Sequence, residues 1–197
     1  LFIFYRKIFP CQTIQMQVNF KIVIKRSVPV CSCRSGHPIF FIEMNGGTDM
    51  LKGIPEILSP ELLKVLCEMG HSDRLVIADG NFPVESMGKN AITIRCDGHG
   101  VPEILEAILK VFPLDTYVEH PVNLMEVMPG DDVETPIWDT YKEIIRKYDD
   151  RGDAVVGNIE RFAFYDEAKT AYCIISTSEK ALYANIMLQK GVVINND

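Results

Sequence analysis

A histidine and an aspartate, His71 and Asp79, bracket the short apolar run in "HSDRLVIAD". An imidazole exchanges protons near neutral pH, and a carboxylate can grip a hydroxyl or take its proton. His71 follows a helix-like segment closed by Gly70, where the helix dipole favours a positive charge; a plain surface histidine closing a helix fits the same place. Asp79, in "IADGNFP", reads either as a turn-forming residue or as a carboxylate that holds a ligand. Asp115, in "FPLDTYVEH", carries the same two readings. In "ERFAFYDEAKTAY", Arg161 and Tyr165 are four residues apart and share one face if the segment is helical. The aromatic stripe around them also reads as core. Tyr183 and Asn185, in "ALYANIML", share one face of an extended segment and suit a polyhydroxylated ligand. The chemistry on offer is proton transfer and hydrogen bonding on a small polar molecule.

Other motifs narrow the choice. "DGHG" at 97–100 lacks the third glycine of a dinucleotide loop, and no nucleophile elbow, P-loop or zinc signature is present. His99 and His120 have no partner at metal spacing and read as solvated loop histidines. "RGD" at 151–153 reads as a turn. "CSC" at 31–33 lacks a second pair, and His37 does not complete a metal site. Covalent catalysis and phosphoryl transfer have no support, and no metal or cofactor is expected.

The elements that must position these groups alternate. "SPELLKVLCEMG" reads as a helix with Ser59 as N-cap, Pro60 in its first turn, an apolar stripe at Leu62, Leu66 and Met69, and Gly70 as its stop. "RLVIAD" and "AITIRCD" read as strands. Residues 102–112 form a helix, "VNLMEVM" a third strand, and a helix capped by Thr135 begins at Pro136. "AVVGNIE", "AYCIIST" and "NIMLQKG" complete the strands, with a helical "RFAFYDEAKT" between the first two. Helices alternating with short continuous apolar strands predict an α/β fold, a mostly parallel sheet flanked by helices. Such sheets bind ligands beyond the carboxyl ends of their strands, which is where Asp79 and Asp97 stand.

The chain has 197 residues, 47 % of them hydrophobic, a globular composition with length enough for one core. A net charge of −7 without a Lys/Arg stripe speaks against nucleic acid. No apolar run approaches the ~18 residues of a spanning helix, and "LFIFYRKIFP" is a poor signal peptide. Cys67, Cys96 and Cys173 sit singly in apolar or strand-like contexts, as reduced thiols of a cytoplasmic protein do. Residues 1–49 hold six Lys/Arg against two Asp/Glu (net +4), leaving fourteen against twenty-five (net −11) in residues 50–197. The first piece ends in the linker-like "NGGTDM", and Met50 opens the organised part. Residues 1–49 are therefore expected to be an upstream extension, weakly ordered and without a catalytic role, ahead of a domain at 50–197.

The blocks "LKGIPEILSPELLKVLCEMGHSDRLVIADGNFP", "IRCDG", "LDTYVE", "TPIW", "RFAFYDEAKTAY" and "ALYANIMLQKGV", in this order, resemble the fucose mutarotase and ribose pyranase family. They cover nearly all of residues 50–193, and their wording is closer to the fucose branch, especially its animal members. One departure is Ala184, where a glycine is usual in animal members. The resemblance implies a three-layer α/β fold and an enzyme that interconverts the α and β anomers of a reducing sugar without metal or cofactor, and the fucose-like wording points to L-fucose. It implies a catalytic role for His71, sugar contacts from Asp79 and Asp115, and Arg161 and Tyr165 near the anomeric end, Tyr165 as a second proton-transfer group. Tyr183 and Asn185 match its Tyr-x-Asn sugar-binding motif. Family members form ring-shaped decamers with sites near subunit contacts, so a homodecamer or another ring of copies is the expected partner arrangement. The side chains of Phe162, Phe164 and Tyr165 are expected to wall the C6 methyl of fucose. D-ribose pyranase activity, or sugar binding without turnover, are the alternatives left open by the residues themselves.

Overall fold

The structure, a computed structural model, describes residues 51–193. The readings placed on residues 1–49, including the "CSC"–His37 group and the Met50 boundary, lie outside the described residues. In chain order the elements are α1 (Pro60–Glu68), β1 (Arg74–Ala78), α2 (Val84–Met87), β2 (Ile92–Cys96), α3 (Val101–Leu109), β3 (Val122–Met125), α4 (Pro136–Tyr148), β4 (Val156–Ile159), α5 (Arg161–Ala168), β5 (Cys173–Thr177) and β6 (Ile186–Gln189). One six-stranded sheet runs β2-β5-β1-β6-β3-β4.

Five strands point the same way and β6 alone is reversed, pairing antiparallel with β1 and β3. Alternate residues of each strand enter different layers. Leu75 and Ile77 of β1 join a core with Leu62 of α1, Ile104 and Ile108 of α3 and Tyr141 and Ile145 of α4. Val76 and Ala78 join a smaller core with Val84 of α2 and Phe164 and Ala168 of α5. Burial on both faces explains why β1 reads as an unbroken apolar run rather than an alternating one.

Helix ends follow local chemistry, with some differences from expectation. Ser59 caps α1, its hydroxyl accepting the Leu62 N–H at 3.2 Å. The helix stops at Glu68 without a left-handed glycine. Its last carbonyls are held from far along the chain, where Lys190 Nζ donates to the Leu66 and Met69 oxygens at 2.7 and 2.5 Å. Thr135 precedes α4 but makes no side-chain cap bond. Glu160 caps α5, accepting the Phe162 and Ala163 N–H groups.

The reversal of β6 shapes the carboxyl-terminal rim of the sheet. β5 and β6 lie on either side of β1, so residues 178–185 must cross the carboxyl end of β1 to connect them. Gly80 admits the crossing: its N–H donates to the Glu179 carbonyl at 2.9 Å, and a Cβ there would meet that oxygen at 3.1 Å. From the other side α4 grips the crossing segment. Trp138 Nε1 donates to the Tyr183 carbonyl at 2.8 Å and the buried Tyr141 hydroxyl to the Ala184 carbonyl at 2.7 Å.

Candidate active site

The crossing segment delivers Tyr183 and Asn185 to Asp79. Asp79 stands one residue past β1 and is 5 % exposed. Its N–H donates to Asn185 Oδ1 at 2.9 Å, and Asn185 Nδ2 donates back to Asp79 Oδ2 at 2.8 Å. The Asn81 N–H donates to Asp79 Oδ1 at 2.9 Å, the local bond of the turn reading. Burial pushes the Asp79 carboxyl above the usual carboxylate range, and Glu179 adds to this; bonds from Asn81, Asn185 and Phe82 oppose it without prevailing.

Asp79, Arg161, Tyr165, Tyr183 and Asn185 line one cavity of about 420 Å³, together with Phe82, Met125, Asp131, Val133 and Leu182. This is within the ~300–1,000 Å³ of small-ligand sites, and it opens at the carboxyl ends of β1, β3 and β4 as the topology predicts. Arg161 and Tyr165 share a face of α5, with the guanidinium carbon 5.9 Å from the Tyr165 ring centroid. Hydrogen bonding to the Tyr165 phenol keeps the Arg161 guanidinium firmly protonated. Tyr183 and Asn185 reach the same cavity, but not along an extended strand. Tyr183 has φ +54°, a left-handed kink that the bonds from Trp138 and Tyr141 stabilise.

The apolar wall differs from expectation. Phe164 is fully buried beneath the sheet and Phe162 is 63 % exposed, because successive helix positions turn about 100° apart. Phe82 supplies the wall instead, its ring 5.4 Å from that of Tyr165, with Met125, Val133 and Leu182. A second depression, about 490 Å³, lies beside it between β2, β5 and α2. Its charged arginine, Arg95, is committed to Asp97 by two bonds of 2.7 and 3.0 Å, and it holds none of the predicted site residues.

His71 and Asp115 are elsewhere. His71 precedes β1, whereas Asp79 follows it, and a five-residue strand spans roughly 16 Å. Within one chain the two therefore do not bracket one ligand. His71 pairs instead with Asp115: Nε2 lies 3.1 Å from Asp115 Oδ2. His71 occupies a turn closed by the Asp73 N–H on the Gly70 carbonyl, with Ser72 at φ +69°. The Ser72 N–H donates to the Lys190 carbonyl at 2.9 Å, so the lysine that caps α1 also seats the histidine's turn.

Asp115 is 1 % exposed, and its oxygens are occupied within the chain. Oδ1 accepts the Tyr117 N–H at 2.9 Å and Oδ2 accepts Gln189 Nε2 at 3.0 Å as well as facing His71. Within the chain it backs the imidazole, and the sugar contact expected of it would share its oxygens with these donors. Burial pushes its carboxyl up, but the bonds from Tyr117, Gln189 and His71 prevail and hold it below the usual range. Arg151 of the "RGD" turn donates to the Asp115 carbonyl at 2.9 Å and clamps Asp149, so that motif is used up inside the fold. Gly191 lets this strand approach, since a Cβ would lie 2.5 Å from the Leu114 carbonyl oxygen.

Asp131, Phe82, Gln189 and Tyr117 were not singled out from sequence. The Pro-Gly turn at 129–130 signals a loop, but nothing local indicates that Asp131 reaches a tyrosine 52 positions later. His99 and His120 bond to Glu103 and to the Ala154 carbonyl, away from the cavity. Among the described residues, no three His, Cys, Asp or Glu side chains gather where they could hold a metal ion, and no helix is long and apolar enough to cross a membrane.

A model of the RbsD / FucU transport protein family matches residues 52–193. The fucose mutarotase of Homo sapiens is 48 % identical over 152 residues, spanning 74 % of this chain and 96 % of that protein. The crystal structure of FucU from Bifidobacterium longum superposes with a TM-score of 0.71 at 66 % identity, covering 73 % of this chain and all of that one. The fucose mutarotase from Streptococcus pneumoniae, solved in complex with L-fucose, superposes with a TM-score of 0.67 at 45 % identity, over 73 % of this chain and all of its own.

Proposed function

Since the chain belongs to the RbsD / FucU transport protein family, and its fucose mutarotase relatives match across nearly their whole length, we propose that it is an L-fucose mutarotase, an isomerase that interconverts α- and β-L-fucopyranose. The observation that carries this reading is the convergence of Asp79, Arg161, Tyr165, Tyr183 and Asn185, from three separate segments, on one cavity. Asp79 and Asn185, locked to each other, hold sugar hydroxyls so that only the anomeric end moves. Phe82, Met125, Val133 and Leu182 offer the apolar side that a methyl group needs.

Mutarotation takes the proton from the anomeric hydroxyl and places one on the ring oxygen, breaking the bond between C1 and the ring oxygen to leave an aldehyde. The carbonyl end rotates, and the reverse transfers close the other anomer. The base and acid of this reaction are His71 and Tyr165. With Nε2–H donating to Asp115, neutral His71 keeps its free lone pair on Nδ1, which acts as the base. Tyr165 serves the ring oxygen.

The two halves meet between copies of the chain. The His71–Asp115 pair sits on the amino-terminal rim of the sheet and the cavity on the carboxyl-terminal rim. Each carries exposed apolar side chains: Tyr117, 75 % exposed with its ring 5.3 Å from that of His71, at one, and Leu182 and Phe162 at the other. Two different patches joined head to tail form a heterologous contact, which closes into a ring when the rotation permits. A ring-shaped homo-oligomer, a homodecamer by the family's habit, gives each cavity its histidine from a neighbour. The catalytic unit is residues 50–197, with 1–49 outside it, and free thiols at Cys67, Cys96 and Cys173 accord with a cytoplasmic location.

Saturation-transfer NMR on a panel of reducing sugars tests the function. L-Fucose is expected to show enzyme-dependent α/β exchange, and D-ribose weaker or no pyranose/furanose exchange at equal enzyme. Burying one methyl is worth about 0.8 kcal/mol, a few-fold preference, so the remainder must come from hydroxyl contacts. Faster exchange on D-ribose than on L-fucose would reverse the assignment. Deleting residues 1–49 is expected to leave melting temperature and exchange rate close to those of the full chain. A folded truncation that has lost most of its rate would place the extension inside the catalytic unit.

A further inference from the structure

Residues 126–135 join β3 to α4 without regular structure, and they wall the cavity through Asp131 and Val133. Met128 to Asp131 form a tight turn: the Asp131 N–H donates to the Met128 carbonyl at 3.0 Å, and Gly130 takes φ +95°. Proline second and glycine third are what a type II turn requires. The turn delivers Asp131 to the Tyr183 phenol, whose hydroxyl donates to Asp131 Oδ2. The Met128 N–H approaches the same phenolic oxygen at 3.4 Å. A hydroxyl has one proton and two lone pairs. With the proton committed to Asp131 and one lone pair turned toward Met128, a single acceptor position remains for the cavity.

We infer that Asp131 is a specificity-determining residue: by holding the Tyr183 proton it makes that phenol an acceptor only, so the sugar atom that meets it must be a hydroxyl giving its proton. The inference rests on the reading that the cavity holds the sugar. An ionised carboxylate has no proton to offer, so Asp131 and Tyr183 cannot exchange roles. A tyrosine facing water on that side would turn either way and accept either kind of partner.

The test is equilibrium binding of L-fucose and its 2-, 3- and 4-deoxy and deoxyfluoro analogues to the full chain, as wild type, Asp131→Ala and Tyr183→Phe. Fluorine never donates and accepts weakly; a deoxy carbon does neither. At one ring position the fluoro analogue is expected to bind wild type about five-fold more weakly than the deoxy analogue, lone pairs facing lone pairs. In Asp131→Ala the released phenol turns its proton inward, and the fluoro analogue then binds at least as well as the deoxy one. In Tyr183→Phe the difference at that position disappears. Asp131 is exposed, and melting curves check that each variant is folded; should Asp131→Ala fail to fold, Asp131→Val, which equally removes the acceptor, takes its place. An unchanged order in Asp131→Ala, or no ring position at which fluorine is the worse substituent in wild type, overturns the inference. A wild-type protein that binds no L-fucose would overturn the proposed function itself.

Discussion

Replacing His71 by alanine is expected to slow α/β exchange of L-fucose by about 10²-fold or more, the usual contribution of a positioned acid or base, while sugar affinity falls far less. The cavity proposed to hold the sugar is not lined by the same chain's His71, so under the proposed mechanism binding and proton transfer are separable. Exchange rate by NMR, set beside affinity by calorimetry, checks the split. A variant that kept near wild-type exchange would move the proton-transfer role to Tyr165 or to water. Geometry adds a sharper form of the experiment. If each site takes its histidine from a neighbour, co-expressing His71→Ala with Asp79→Ala chains rebuilds intact sites wherever the undamaged halves meet. Random assembly of equal amounts restores about a quarter of the wild-type rate. A mixture no more active than its parents would return the histidine to the cavity of its own chain.

Asp115→Asn is expected to cost on the order of 10²-fold in exchange rate, comparable with the loss of other groups that orient an imidazole. Asp115 Oδ2 lies 3.1 Å from His71 Nε2, and in the proposed mechanism it accepts that N–H and leaves Nδ1 as the base. An asparagine amide can instead donate to Nε2, which moves the imidazole proton to Nδ1 and removes the base from the cavity side. Sugar affinity should barely change, because Asp115 is buried at the opposite rim from the cavity. The substitution also carries a stability signature. A carboxyl held below its unfolded value of 3.8 contributes stability that is present above pH 3.8 and lost as pH falls through the folded value. Wild type therefore loses that increment in acid, and Asp115→Asn lacks it at neutral pH and has none to lose. An Asp115→Asn variant with wild-type exchange would leave the carboxylate a purely structural part of the rim.

Much of the architecture was legible because it rests on local rules. Ser59 followed by Pro60 marks a helix start, "RLVIA" is apolar after its first residue because both faces of β1 are covered, and the four-residue step from Arg161 to Tyr165 puts both on one helix face. The cap of α4 misled, since Thr135 occupies the place without making the bond. The reversal of β6 was not legible, as an apolar strand reads the same in either direction.

By itself, then, the sequence determined the helices and strands, the alternating α/β order and the residue types available for chemistry, because these depend on spacing within a few residues. The tertiary structure decided which of them meet. The passage of residues 178–185 over Gly80 brings Asn185 to Asp79 across 106 positions, and the left-handed turn at Tyr183 points its phenol at Asp131. The length of β1 separates His71 from Asp79, close neighbours along the chain. Nearness along a strand becomes distance in space, and only the path of the folded chain converts sequence distance into contact.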